Sequence, residues 1–156
     1  MANISLLFRT FLIFIITLCM SHVTSSQANV SVDITIEQPQ HHYAQVTITF
    51  EAFSSEQANF HLPTWRTGRY EIINLANGIR EFTATDEQGN KLDWQKLDKD
   101  TWQVQGALNK KIRISYQVYA NQLGQRTRHI DDSHAYIDSS TVVMYSDVAR
   151  VQKHII

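Results

Sequence analysis

The chain has 156 residues, with 14 Lys plus Arg against 15 Asp plus Glu and a formal charge of −1. Near-neutral charge without a basic block excludes electrostatic binding to nucleic acid, and a lone cysteine, Cys19, excludes a disulfide framework or a thiolate metal site. The length suits one domain with its own core but not two.

Arg9 precedes an apolar run, Phe11 to Met20, which is followed by a polar stretch rich in Ser and Thr. This is the order of a secretory signal peptide over residues 1–28. The run is about half the ~20 residues that a spanning helix needs, so no membrane anchor is expected after cleavage. Ser26-Gln27-Ala28 supplies small residues where signal peptidase reads, which favours cleavage before Asn29, with a site a few residues earlier as the alternative. Leu18 precedes Cys19 where a lipoprotein signal wants a small residue. The expected product is exported, to the periplasm or the medium, and free of lipid.

Beyond the signal, period-two alternation dominates. Val30, Val32, Ile34 and Ile36 alternate with polar residues, as do Val46, Ile48, Phe50 and Ala52, and again Ile112, Ile114, Tyr116 and Val118. Each set predicts a half-buried strand. Shorter strands are expected over 82–85, 92–96 and 101–105, joined by the polar turns 86–90, 98–100 and 106–110, so that residues 80–121 form an antiparallel meander. Ile72, Leu75, Ala76 and Ile79 recur at helical spacing before and after Asn77-Gly78, which predicts one short helical segment near residues 70–80. The fold class is therefore all-β, an antiparallel β-sandwich with that one helical segment.

Two stretches stand out chemically. His129-Ile130-Asp131-Asp132-Ser133-His134 gathers two imidazoles and two carboxylates, but its spacing matches no standard zinc motif, and a polar loop held by its own hydrogen bonds is the simpler expectation. Leu62-Pro63-Thr64-Trp65-Arg66-Thr67-Gly68-Arg69-Tyr70 concentrates arginines and aromatic rings, which suits an interface loop or a corner where Trp65 and Tyr70 cap the core. His41-His42 reads as a solvated pair after Pro39. There is no Gly-x-Ser-x-Gly, no cysteine nucleophile and no HExxH.

Residues 62–72 (LPTWRTGRYEI), 97–104 (LDKDTWQV), 115–121 (SYQVYAN) and 126–136 (RTRHIDDSHAY) resemble, in that order, the N-terminal domain of the glycyl-aminopeptidase-like zinc metallopeptidases with a PDZ domain, peptidase family sixty-one. Thr67 departs from the family's usual proline. The resemblance implies a β domain over 29–145 that precedes a thermolysin-like peptidase domain carrying the zinc, its HExxH helix and the catalytic glutamate, and then a PDZ domain. No catalytic residue, metal ligand or cofactor is thereby expected in this chain, and no activity of the chain alone. From Ser146 the tail, 146–156, is expected to diverge, as in a truncated product. The resemblance further implies that Arg66, Arg69, Tyr70, Arg128, Asp131 and Asp132 line an interface or cleft wall toward the missing peptidase domain, with arginine–carboxylate contacts as the physical means. A stand-alone module that binds a peptide or glycan is the alternative expectation.

Overall fold

The computed structural model describes residues 29–65, 72–124, 127–149 and 153–155. The signal segment 1–28 lies outside them. Ten strands are described: β1 (Asn29–Thr35), β2 (Tyr43–Phe50), β3 (Gln57–His61), β4 (Ile79–Thr85), β5 (Trp94–Lys96), β6 (Thr101–Gln105), β7 (Ile112–Tyr119), β8 (Arg128–Ile130), β9 (Ala135–Ile137) and β10 (Lys153–Ile155). They form a five-stranded sheet in the order β10-β1-β2-β7-β4, a three-stranded sheet β3-β6-β5, and the hairpin β8-β9. The fold is all-β, and helical structure among the described residues is confined to short 3-10 turns.

The alternating segments behave as their pattern dictates. β2 and β7 pair antiparallel along their full lengths. Val46, Ile48 and Phe50 of β2 and Ile112, Ile114, Tyr116 and Val118 of β7 are fully buried, each large side chain contributing about 1.5–3 kcal/mol on transfer from water. The opposite face is polar: Ser115 Oγ takes a bond from Gln45 Nε2 at 2.9 Å and lies 3.0 Å from the Thr47 hydroxyl.

The second sheet closes over this apolar face. Phe60 of β3 lies 4.9 Å from Phe50, and Phe82 stacks on Trp102 of β6 at 5.8 Å and on Tyr116 of β7 at 6.3 Å. Two sheets thus share one aromatic-rich core.

The expected meander over 80–121 is corrected here. β4 pairs with β7, while β5 and β6 leave for the other sheet. The crossing runs through the turn after β4, where the Asp86 carboxylate accepts from the amides of Gln88 and Asn90 at 3.0 and 2.9 Å and Gly89 takes φ +84°. Alternation fixes which face of a strand is apolar, not which sheet the strand joins. Trp102 and Val104 therefore serve the same core from the opposite side.

The expected helix near 70–80 is a 3-10 turn, Leu75–Gly78, that buries Leu75 and Ala76; Ile79 already begins β4 and Ile72 is exposed. Ile79 faces the core from a strand, so its helical spacing with Ile72 is coincidental.

A long-range bond anchors the segment after β9. The buried Tyr116 hydroxyl donates to Val142 O at 2.7 Å and accepts from Met144 N–H at 3.0 Å. Burial pushes its pKa up, so it stays neutral and keeps both roles. Tyr116→Phe leaves two buried backbone groups without partners and is expected to lower the unfolding free energy by about 2–3 kcal/mol. Urea denaturation of the two proteins reads this as a lower midpoint, and an unchanged midpoint would show that the bonds carry no stability.

Candidate functional site

One end of the sandwich gathers the residues that the sequence singles out in 126–136. β8 and β9 form a hairpin whose turn is Asp131 to His134. The hairpin attaches to the main sheet through Ile130 N–H to Ala120 O at 2.8 Å and through a small cluster in which Ala44, Ala120 and Ile130 are wholly buried.

Arg128 is 4% exposed. Its guanidinium donates to the backbone carbonyls of Tyr119 (Nε, 2.9 Å), Leu75 (Nη2, 2.8 Å) and Thr141 (Nη1). The acceptors are carbonyls inside the domain rather than the carboxylate of a neighbour. Desolvation lowers the Arg128 pKa to about 10, so the group remains a cation at neutral pH. Gly78 makes room for it: a Cβ there would lie 2.2 Å from Nη2 and 3.2 Å from Tyr119 O.

Asp131 organises the turn. Its Oδ1 accepts from Ser133 N–H at 2.8 Å, Ser133 Oγ at 2.7 Å and His134 N–H at 2.9 Å, while Oδ2 lies 3.0 Å from His129 Nε2. The Ser133 hydroxyl foremost, then the His129 ring and the two amides, hold its pKa far below the usual aspartate value. His129 is buried, His134 is half-exposed, and their rings lie 5.2 Å apart. Asp132 is exposed. Ser133 Oγ and Asp131 Oδ1 both approach the same His134 nitrogen, Nδ1, at 2.8 and 3.2 Å. A serine–histidine–aspartate relay needs them on opposite ring nitrogens, so this triplet is not one.

Sequence reasoning missed His42. It is half-buried rather than solvated, with φ 61°, and its Nδ1 donates to Ile130 O at 2.5 Å. Its ring lies 6.1 Å from that of His129. The only local signal is Pro39, which starts the 3-10 turn Pro39–His41 that ends in this left-handed residue.

Arg66, Arg69 and Tyr70 lie outside the described residues. The chain on either side of them is bridged, Trp65 against Ile72, with Ile73 N–H donating to Thr64 O at 2.9 Å. Trp65 is exposed rather than capping the core, and Ile72 and Leu123 are each 79% exposed. Two cavities open at this end. One, of about 290 Å³, has Arg128, Tyr119, Asn121 and Ile73 in its lining; the other, of about 330 Å³, is lined by Leu123, Gly124, His129, His134 and Tyr136.

A two-sheet, all-β domain with a braced hairpin and cavities at one end defines a β-sandwich domain. The chain belongs to the Peptidase M61 N-terminal domain family, which matches residues 31–156. The matched stretch runs past Ser146, where the sequence reading places a departure, and in that tail β10 pairs in parallel with β1. Among solved structures the chain is similar to an aminopeptidase N family protein from Idiomarina loihiensis, with a TM-score of 0.71 and 22% identity over 77% of this chain. That likeness shows the fold. The chain spans 20% of that protein's length. No curated protein matches it. The zinc site that the family resemblance implies is built on an HExxH helix, and the sequence has no such motif to supply its ligands.

Two outcomes follow from this geometry. Arg128→Lys replaces a fork that reaches three carbonyls by a single ammonium, and is expected to lower the unfolding free energy by about 2 kcal/mol; equal urea midpoints would refute the brace. Asp131 has a lower pKa folded than unfolded, so its stabilisation is complete above the ordinary value of 3.8 and is lost as pH falls further. Asp131→Asn should therefore melt below the parent at neutral pH, with the gap closing below about pH 4. A gap that stays constant on acidification would show that the carboxylate charge is not what stabilises the turn.

Proposed function

We propose that this chain is the exported, non-catalytic N-terminal domain of a zinc aminopeptidase, and that its hairpin end docks on the peptidase domain. The family match supports the N-terminal-domain role. The docking role rests on the exposed Ile72 and Leu123 and the half-exposed Tyr136, apolar surface at the end where the two cavities lie. Apolar side chains exposed at a cavity rim are more typical of surfaces that a partner covers than of free surface. Asp132, which is exposed, would belong to the polar rim of such a contact, and the family resemblance is what nominates Arg66, Arg69 and Tyr70 as further contributors. Arg128 and Asp131 would act from behind it by holding the loops in place.

Export is supported by the signal segment over residues 1–28. A stand-alone peptide- or glycan-binding role remains the competing reading, favoured by the cavity beside Tyr136.

The purified chain should not hydrolyse glycyl-anilide substrates; zinc-dependent turnover would overturn the non-catalytic assignment. Ile72→Lys combined with Leu123→Lys should leave stability within about 0.5 kcal/mol per site, yet abolish association with an M61 peptidase domain supplied in trans. Undiminished association of the double variant would place the interface elsewhere.

A further inference from the structure

The hairpin turn brings together a set of ligand atoms that the docking role does not require. One nitrogen or oxygen from each of His129, Asp131 and His134 lies within 4.8 Å of the other two. His129 Nε2 lies 3.0 Å from Asp131 Oδ2, and His134 Nδ1 lies 3.2 Å from the other carboxylate oxygen, Oδ1. With metal–ligand bonds of about 2.1 Å, ligand atoms stand about 3.0 Å apart on an octahedral edge and about 3.4 Å apart on a tetrahedral one. Each histidine therefore already sits at that spacing from one oxygen of the shared carboxylate.

The carboxylate is oriented before any ion arrives. Two amides and a hydroxyl hold Oδ1, which leaves Oδ2 directed at His129. Backbone support of this kind is what fixes a ligating carboxylate.

His129 is the buried member of the set. It is 7% exposed, and its Nδ1 is buried without a hydrogen-bond partner among the described residues. A buried polar nitrogen left unpaired costs about 1–3 kcal/mol and is rare enough in native proteins to require a reason. The nitrogen that would ligate is the opposite one, Nε2, which faces Asp131 Oδ2, and His129 and His134 both line the cavity of about 330 Å³.

We propose that His129, Asp131 and His134 form a binding site for one divalent transition-metal ion. Two imidazoles and a carboxylate select zinc, nickel or copper over magnesium or calcium, which prefer oxygen ligands throughout. Three protein ligands leave a coordination position open, and the cavity of about 330 Å³ that both histidines line has room for water or a small anionic group there. The ion would clamp the hairpin turn and fix the rim beside Tyr136. This site is separate from the family's HExxH zinc and does not depend on the docking proposal.

The test uses the untagged chain, titrated with Zn²⁺ by calorimetry and with Co²⁺ by visible absorption. One ion per chain is expected. His134→Ala removes a half-exposed side chain, so circular dichroism should be unchanged while affinity falls by about ten- to a hundredfold. His41→Ala, at an exposed histidine outside the cluster, should bind as the parent does. The proposal is overturned by an absence of saturable binding, by parental affinity in His134→Ala, or by loss of binding in His41→Ala.

Discussion

The buried guanidinium of Arg128 joins stretches of chain that the two main sheets leave apart. It sits on β8, in a hairpin whose ladder is only three residues long, and reaches the 3-10 turn at Leu75, the end of β7 at Tyr119 and the turn at Thr141. A cation removed from water is costly unless its donors are met, and here fixed carbonyl dipoles meet them. Each carbonyl belongs to a segment near its own end, where ladder bonds run out. One side chain therefore sets the relative positions of these segments, and the cavity of about 290 Å³ that it lines takes its shape from it.

That arrangement explains why Gly78 matters although its φ is ordinary. A Cβ would meet both Nη2 and the Tyr119 carbonyl, so the turn and the guanidinium are fitted to one another. Tyr116 does similar work one layer deeper. Its hydroxyl pins the 142–144 strap to the core, and Thr141, one of the carbonyls that Arg128 uses, lies at the start of that strap.

The sandwich was legible in the sequence wherever alternation was strong. All four apolar residues read for β7, Ile112 to Val118, are buried in that strand, and β2 lies two to three residues earlier than its reading, because a half-buried strand declares itself through period two. What alternation cannot carry is partner choice, and the meander failed there: β5 and β6 have the same local pattern whichever sheet they join. β3, β8 and β9 were missed because each is short, and β8 buries Arg128, His129 and Ile130 together, which no alternating template anticipates. The 129–134 cluster was visible as composition. Its convergence depends on how the β8–β9 turn folds around Asp131, and the half-buried His42 depends on contacts 88 residues away. Neither is encoded in spacing.

β8 also ties the brace and the proposed ion site into one problem. Successive side chains on a strand point to opposite faces, so Arg128 and Ile130 share one face while His129 takes the other, and all three are buried. The hairpin is therefore covered on both sides: by the domain on the Arg128 side, and by the His42 and His134 rings with the Asp131 carboxylate on the His129 side. The first cover is complete, with every arm of the guanidinium bonded. The second leaves Nδ1 unmatched and borders a cavity. A strand three residues long cannot shift on one face without shifting on the other. Whatever fills the His129 side, an ion or a docked partner, would thus be felt by Arg128 and through it by the loops at residues 75, 119 and 141, which makes the hairpin the point where binding at this end would couple to the rest of the domain.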